Sequence, residues 1–121
     1  VNMFLKIIRY VTKLTSGKNY NISIEEIHHK YKQDSPSGTA LMISRNISNI
    51  INTNEDIPIS STRVGSIKGE HTVKYQSKND IIQMTHKANN RDGFAKGAIL
   101  AAEFIQNKKG IFSMKDLMNN L

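Results

Sequence analysis

The sequence has no cysteine, no tryptophan and only two prolines among 121 residues. The lack of cysteine excludes disulfides, thiol catalysis and thiolate metal sites, and it fits a reducing compartment. Long apolar runs are also missing: the apolar stretches are a few residues long, against about 20 for a membrane-spanning helix. Lys6 and Arg9 interrupt the N-terminal apolar stretch, so we expect neither a membrane span nor a signal peptide. We therefore expect a cytoplasmic protein.

Acidic residues are scarce relative to basic ones. Lys and Arg total 17 and Asp and Glu total 10, which gives a net charge of +7. Such a charge is compatible with nucleic acid, a membrane surface or a small anionic ligand. The basic residues are scattered, Lys108-Lys109 is their only adjacent pair, and the aromatic residues do not interleave with them as a base-stacking surface requires. We expect a small anionic ligand, and no nucleic acid or membrane partner.

The spacing of apolar residues predicts alternating helices and strands in one domain with a sizeable core. Residues 3–15 are predicted to form an amphipathic helix because Phe4, Ile7, Ile8, Val11 and Leu14 recur at helical spacing. The further predictions are a strand over 20–29, a helix ending near 52, strands over 57–66, 70–76 and 80–86, a helix over 94–106 and a short helix opened by Ser113 and Asp116.

This order predicts an α+β fold with a mixed, mainly antiparallel four-stranded sheet and helices on one face. Short links between the last three strands favour antiparallel pairing, and one parallel crossover is compatible with the order. The other sheet face would stay open. Apolar residues on an open face need a partner, so we expect that face to serve oligomerisation.

The segment from Glu26 to Ala40, EIHHKYKQDSPSGTA, concentrates groups with chemical uses. His28 and His29 exchange protons near neutral pH, and Lys32 supplies a positive charge. In a strand running through His29 the two histidines would point to opposite faces. The alternative interpretation is a strand end with a satisfied histidine and solvated lysines.

The Ser37-Gly38-Thr39 stretch follows Pro36 at a predicted helix start. Each of these residue types is favoured at an N-cap, so the stretch is compatible with capping alone. Free amides at a helix start also bind anions, and glycine permits close approach of a ligand. Together with the neighbouring histidines and lysine, it suggests a site for an acid that must be protonated.

The remaining candidates are weaker. His71 and His86 lie in predicted strands and are compatible with polar sheet pairs or interface contacts, and Arg91 is a minor candidate for an anion contact. Adjacent strand residues such as His28 and His29 diverge and make a poor chelate, so we expect no metal site. No phosphate loop and no compelling catalytic triad is present.

The same segment, EIHHKYKQDSPSGTA, is similar to the signature of the bacterial dihydrodipicolinate (4-hydroxy-tetrahydrodipicolinate) reductase family. VNMFLKIIRYV resembles the first helix after that family's interdomain hinge, and GSIKGEHTVKY resembles its later Gly-Glu-His strand. THKANNRDGFAKGAILAAEFI resembles the returning helix, and KGIFSMKDLMNN the closing segment. The resemblance therefore spans nearly the whole chain.

The resemblance implies hydride transfer from NADPH or NADH to 4-hydroxy-tetrahydrodipicolinate or dihydrodipicolinate, giving tetrahydrodipicolinate on the diaminopimelate route to lysine. By motif position it implies His28 as catalytic proton donor or acceptor, and Lys32 as a second proton donor that also contacts substrate. The implied substrate contacts also include His29, Ser37, Gly38 and Thr39.

The resemblance also implies a division of labour: residues 1–91 for substrate binding and tetramer formation, and 92–121 as a helical segment that packs on an N-terminal Rossmann domain. The glycine-rich turn of such a domain is not in this sequence. We therefore expect no cofactor-binding residues here and no turnover by this chain alone, with the preference between NADH and NADPH left open. The expected partners are a small dicarboxylate and three further copies of the chain, in a homotetramer. A non-catalytic binding module and a basic nucleic-acid-binding domain are the alternatives.

Overall fold

The fold consists of one sheet with two helices covering one of its faces. A computed structural model describes residues 1–90, 92–106 and 108–119. The elements are α1 (Asn2–Thr15), β1 (Asn21–His28), α2 (Gly38–Ile51), β2 (Ile59–Arg63), β3 (Glu70–Gln76), β4 (Ile81–Lys87), α3 (Asp92–Ile105) and α4 (Met114–Met118).

The sheet has four strands in the order β2-β1-β3-β4. β1 and β2 are parallel, and α2 makes the crossover between them. The β1–β3 and β3–β4 pairs are antiparallel. The predicted mixed, mainly antiparallel α+β fold is therefore confirmed. This order places β1, which carries the histidine pair at its end, between β2 and β3.

The core lies between α1, α2 and the sheet. Ile24 of β1 pairs with Val73 of β3, and both are almost completely buried. Ile43 and Ile47 of α2 are fully buried in the same cluster. Burying a side chain of this size contributes about 1.5–3 kcal/mol, so the cluster holds the sheet firmly against the helices that carry the site.

The buried face of α1 differs from the predicted stripe. Phe4 and Ile8 are buried as expected, but Ile7 is 44% exposed and Leu14 is 51% exposed. The face that meets the core is rotated toward Thr12, whose hydroxyl lies 2.7 Å from the hydroxyl of the buried Tyr75. The inward side of α1 therefore combines apolar side chains with a polar pair.

The uncovered sheet face is mainly polar. Thr72 and Thr85 share a hydroxyl–hydroxyl hydrogen bond of 2.8 Å across β3 and β4, and Lys74 lies 3.7 Å from Glu25 of β1. Ile27 and Ile81 are the apolar strand residues on this face of β1, β3 and β4. The apolar surface that was expected there is thus small, and oligomerisation through this face stays a prediction.

The C-terminal segment returns to the first helix. The Lys6 ammonium donates to the carbonyl of Met118 at 3.1 Å, and Leu117 is buried. The predicted helix start is confirmed: the Ser113 hydroxyl accepts from the Asp116 amide, and the Asp116 carboxylate accepts from the Ser113 amide. Within the described residues, no helix has the length and apolar character that a membrane crossing requires. The predicted division at residues 91 and 92 stays a prediction.

Candidate functional site

A cleft of about 540 Å³ opens where the end of β1, the start of α2 and the loop before β3 meet. All the residues that the sequence marked for catalysis or substrate binding line it: His28, His29, Lys32, Ser37, Gly38 and Thr39. Its other lining residues are Val1, Lys68, Gly69, His71, His86 and Ala88. The predicted residues therefore converge on one cavity, and further polar groups join them there.

His28 is the last residue of β1 and lies on the buried side of the sheet. The residue is 7% exposed, and its ring stands edge-on to the ring of His71 with 5.0 Å between centroids. Its Nδ1 atom is buried without a hydrogen-bond partner in the described part of the chain and lies 3.9 Å from the Glu26 carboxylate. Burial lowers the pKa of His28, and this outweighs the opposite effect of Glu26.

His29 lies beyond the end of β1, and this corrects the predicted geometry. Two successive strand residues would point to opposite sheet faces, but β1 ends at His28, and both histidines line the same cleft. The Nδ1 atom of His29 accepts the amide of Tyr31 at 3.2 Å. Because the strand has ended, His29 is not bound to the alternation of the sheet and lines the same cleft as His28.

Lys32 lies in the loop between β1 and α2 and is partly exposed. Its ammonium is 3.0 Å from the carboxylate of Asp34. The hydrogen bond from Lys32 is the main reason why the pKa of Asp34 is lowered, and the backbone amide of Gly38 contributes a smaller part. The exposed carboxylate of Asp34 thus lies beside the lysine, close to the helix start that was predicted to bind an anion.

The start of α2 has the geometry of an anion site. Ser37 is the N-cap, and its hydroxyl accepts the amide of Ala40 at 3.1 Å. Gly38 and Thr39 come next, where amides have no acceptor inside the helix. A Cβ atom added to Gly38 would meet nothing within 4 Å. The Ala40 amide serves the cap, whereas the Gly38 amide already donates to the Asp34 carboxylate. An external anion at this helix start would therefore compete with Asp34.

Glu26 lies at the centre of the polar network behind the cleft and was not among the site residues predicted from the sequence. Its carboxylate accepts from the Ser37 amide at 3.0 Å, from the Ser37 hydroxyl and from Arg63 at 2.6 Å. Desolvation raises its pKa, but the hydrogen bonds from Ser37 and Arg63 outweigh that effect and keep the pKa lowered. Glu26 is therefore an ionised carboxylate in the interior at neutral pH.

His71 and His86 belong to the cleft, although their sequence context left their place open. They are directly opposite each other in the β3–β4 pair, and Phe4 lies against His86 with 5.5 Å between ring centroids. Burial lowers the pKa of His71 to about 4, so this ring is neutral at pH 7. The alternation of side chains along each strand indicates which residues of that strand share a face, but it does not show that His71 pairs with His86.

Lys68 and Gly69 also line the cleft, although they were not among the site residues predicted from the sequence. Both precede β3, and Gly69 has a φ of +148°, a value that other residue types rarely adopt. A Cβ atom at Gly69 would lie 3.2 Å from Nε2 of His28. The glycine therefore leaves the space that the His28 ring occupies. Arg91, another candidate, lies outside the described residues.

Three potential metal ligands lie together: one atom each from Glu26, His28 and His71, all within 4.8 Å of one another. Both carboxylate oxygens already accept hydrogen bonds, one from Arg63 and the other from Ser37. A cation there would compete with the Arg63 guanidinium for the same charge. This donor set fits the guanidinium better than a metal ion, and the absence of a metal stays a prediction.

Comparison with known proteins agrees with the resemblance. A family model described as "Dihydrodipicolinate reductase, C-terminus" matches residues 1–118. The 4-hydroxy-tetrahydrodipicolinate reductase of Christiangramia forsetii is 41% identical over 132 aligned positions, which cover 100% of this chain and 55% of that protein. The reductase of Wigglesworthia glossinidia brevipalpis is 40% identical, with coverage of 98% and 45%.

A solved structure supports the fold. The dipicolinate-bound dihydrodipicolinate reductase of Paenisporosarcina sp. TG-14 superposes with a TM-score of 0.65 at 22% identity, covering 79% of this chain and 43% of that one. The chain spans about half the length of the curated relatives it matches. Because the family model covers nearly every residue and the relatives exceed 30% identity, the chain belongs to the dihydrodipicolinate reductase family and corresponds to its C-terminal domain.

Proposed function

We propose that this chain is the substrate-binding part of an NAD(P)H-dependent reductase. The enzyme would convert 4-hydroxy-tetrahydrodipicolinate or dihydrodipicolinate to tetrahydrodipicolinate in lysine biosynthesis. The observation that supports this most directly is the convergence of His28, Lys32 and the start of α2 on one cleft. Proton exchange, positive charge and anion binding are the functions that a reducible dicarboxylate requires.

Substrate binding would use the start of α2 and Lys32. One carboxylate would take the place of the Asp34 carboxylate and accept hydrogen bonds from the amides of Gly38 and Thr39 and from the Lys32 ammonium. The side chains of His29 and Ser37 would border the same group. Lys68 is a further cation on the cleft wall, available to the second carboxylate of the substrate. The name of the Paenisporosarcina structure, which is dipicolinate-bound, supports a ligand of this class.

Proton transfer would use His28 through its Nε2 atom, because Nδ1 is fully buried. The lowered pKa of His28 makes its protonated form a stronger acid than an exposed imidazolium, and an anionic ligand in the cleft would favour that form. The proton would go to the carbon where negative charge develops after reduction. Lys32 would stabilise this charge and provide a second proton.

The nicotinamide cofactor would supply the hydride in the complete enzyme. The described residues contain no strand followed by a glycine-rich turn and a helix, so their donor set does not fit a dinucleotide. We assign none of them to the cofactor. We infer that a cofactor domain lies elsewhere in the protein and that residues 92–121 contact it. We also infer that residues 1–91 assemble the protein into a homotetramer, and that the protein is cytoplasmic.

Titration calorimetry with pyridine-2,6-dicarboxylate tests the substrate site. The 121-residue chain should bind the dicarboxylate, and Lys32→Ala should weaken binding at least about tenfold, because a charge-assisted hydrogen bond contributes about 1.5–3 kcal/mol. Lys74→Ala is the matched control, since Lys74 lies on the uncovered sheet face near Glu25. Equal affinity of both variants, or no binding by the parent chain, would contradict the proposal.

Kinetics of the complete gene product test the chemistry. His28→Gln should lower kcat more than it changes KM, whereas Lys32→Ala should change both. An effect of His28→Gln on KM alone would reverse the assigned role. Reading the gene upstream of Val1 for a Rossmann domain, and measuring the native mass of the product, test the cofactor domain and the tetramer.

A further inference from the structure

We propose that Glu26 is the positioning residue of this site: its buried carboxylate fixes the start of α2 by hydrogen bonds and places a negative charge behind the His28 ring. The inference rests on the proposed function for its catalytic consequences, but its structural part stands on contacts alone. Glu26 is 1% exposed and does not line the cleft. Its action on a ligand is therefore indirect.

The first contact of Glu26 fixes the start of α2. One carboxylate oxygen accepts both the amide and the hydroxyl of Ser37. The same hydroxyl accepts the Ala40 amide at 3.1 Å and lies 3.3 Å from Nε2 of His71. With its proton directed to Glu26, the hydroxyl has its acceptor positions free for the amide and for a protonated Nε2 atom of His71. The hydroxyl is thus held in one rotamer, and the start of α2 is fixed relative to β1.

The second contact concerns the histidines. The Glu26 carboxylate is 3.9 Å from Nδ1 of His28 and 3.8 Å from Nε2 of His71. These ring atoms face inward, so the opposite edge of His28 remains for a ligand. A negative charge behind the ring favours an N–H at Nδ1 and stabilises the protonated ring during proton transfer.

Arg63 makes a buried charge at Glu26 possible. Its guanidinium donates to Glu26 at 2.6 Å, to the carbonyl of Asp34 at 2.6 Å and to that of Thr62 at 3.0 Å. The pair therefore joins β1, the end of β2 and the loop that carries Lys32. A buried ion pair of this kind costs desolvation and adds little net stability compared with apolar residues, whereas losing one partner is strongly destabilising. Its value lies in the geometry that it imposes.

The test separates positioning from stability with a charge-neutral double variant. Glu26→Gln leaves Arg63 unpaired and is expected to destabilise the chain. Glu26→Gln combined with Arg63→Met removes both charges and should regain most of that stability in urea denaturation. We expect kcat/KM of the complete gene product to stay about 100-fold low in both variants, because a misplaced site costs about that much. Glu26→Asp, which keeps the charge, should recover part of the lost kcat/KM.

A second readout is the titration of the His28 ring, followed by NMR of its C–H signals. The charged and titratable groups around this ring are Glu26, Arg63, Lys32, Asp34 and His71. Removal of the Glu26 charge should move the His28 titration to lower pH in Glu26→Gln, and Glu26→Asp should restore it.

Two results would overturn the positioning role. One is a double variant with parental kcat/KM, because the effect of Glu26 would then be stability alone. The other is a His28 titration that Glu26→Gln leaves unchanged. If the parent protein neither bound the dicarboxylate nor reduced its substrate, the proposed function would fail, and the NMR titration would still decide whether Glu26 acts on the ring.

Discussion

Gly69→Ala is the substitution with the sharpest expected effect on the site. Gly69 precedes β3, and its carbonyl accepts the Ala88 amide at 2.9 Å. Its φ of +148° lies in a region that favours glycine, and an added Cβ atom would approach Nε2 of His28 to 3.2 Å and Cδ2 to 3.4 Å. The substitution therefore combines backbone strain with pressure on a particular ring atom.

The two costs have different magnitudes and different readouts. A non-glycine residue in such a conformation costs about 1–3 kcal/mol. For a chain of this length, each kcal/mol lowers the melting temperature by about 4 °C, so we expect a loss of about 4–12 °C. The ring of His28 must also yield by a few tenths of an ångström, and we expect kcat of the complete gene product to fall about 10–100-fold. The affinity for pyridine-2,6-dicarboxylate should change less.

Gly17→Ala is the matched control. Gly17 also has a positive φ, +75°, but an added Cβ atom there would meet nothing within 4 Å. It should therefore lower the melting temperature through strain and leave kcat and the NMR signals of the His28 ring unchanged. If Gly69→Ala matched this control in kcat and in the His28 signals, the steric argument would be refuted.

Three further predictions concern charge and core packing. Asp34→Asn should tighten dicarboxylate binding by calorimetry about 2–5-fold, because it frees Lys32 from its partner at 3.0 Å; weaker binding would show that Asp34 holds the lysine in place. The pKa of His71 is lowered from 6.5 to about 4 in the fold, so the unfolded chain takes up the proton first as pH falls. In urea denaturation, the contribution of His71 to the free energy of unfolding should be complete above about pH 6.5 and should fall by about 3 kcal/mol toward pH 4. His71→Gln should remove this part of the pH dependence of stability. Tyr75→Phe should lower the free energy of unfolding in urea by about 1–3 kcal/mol, because it leaves the Thr12 hydroxyl unpaired. The double variant Thr12→Val with Tyr75→Phe should be nearly as stable as the parent. Dicarboxylate affinity should stay at the parental value in both variants. A double variant as unstable as the single one would contradict that account.

The spacing of apolar residues predicted the helices and strands well where one face of the element is apolar and the other is polar. The strands and the mixed sheet followed from alternation and short links. The predicted residues from His28 to Thr39 converge in the cleft because they belong to one strand-loop-helix segment, so their proximity is a local property. The buried side of α1 was predicted less well, since Ile7 and Leu14 are as apolar as the residues that are buried.

The partners of that segment come from distant parts of the chain. Arg63 reaches Glu26 because β1 and β2 pair in parallel, with His28 opposite Arg63. His71 is opposite Glu26 in the antiparallel pair, and His86 is opposite His71. The pairings of β1 with β2 and with β3 do not follow from spacing along the chain, because these strands are far apart in sequence, whereas the short link between β3 and β4 constrains the pairing of His71 with His86.

The amino-acid sequence alone determined the family, the α+β class and the proton-and-anion character of the segment from His28 to Thr39. These properties depend on residue identity and on neighbours in the chain. The fold establishes that Glu26 is buried and ionised, that His71 is neutral at pH 7 and that His29 lines the same cleft as His28. Burial, register and the point where a strand ends set these properties, and each depends on which distant groups the fold brings together.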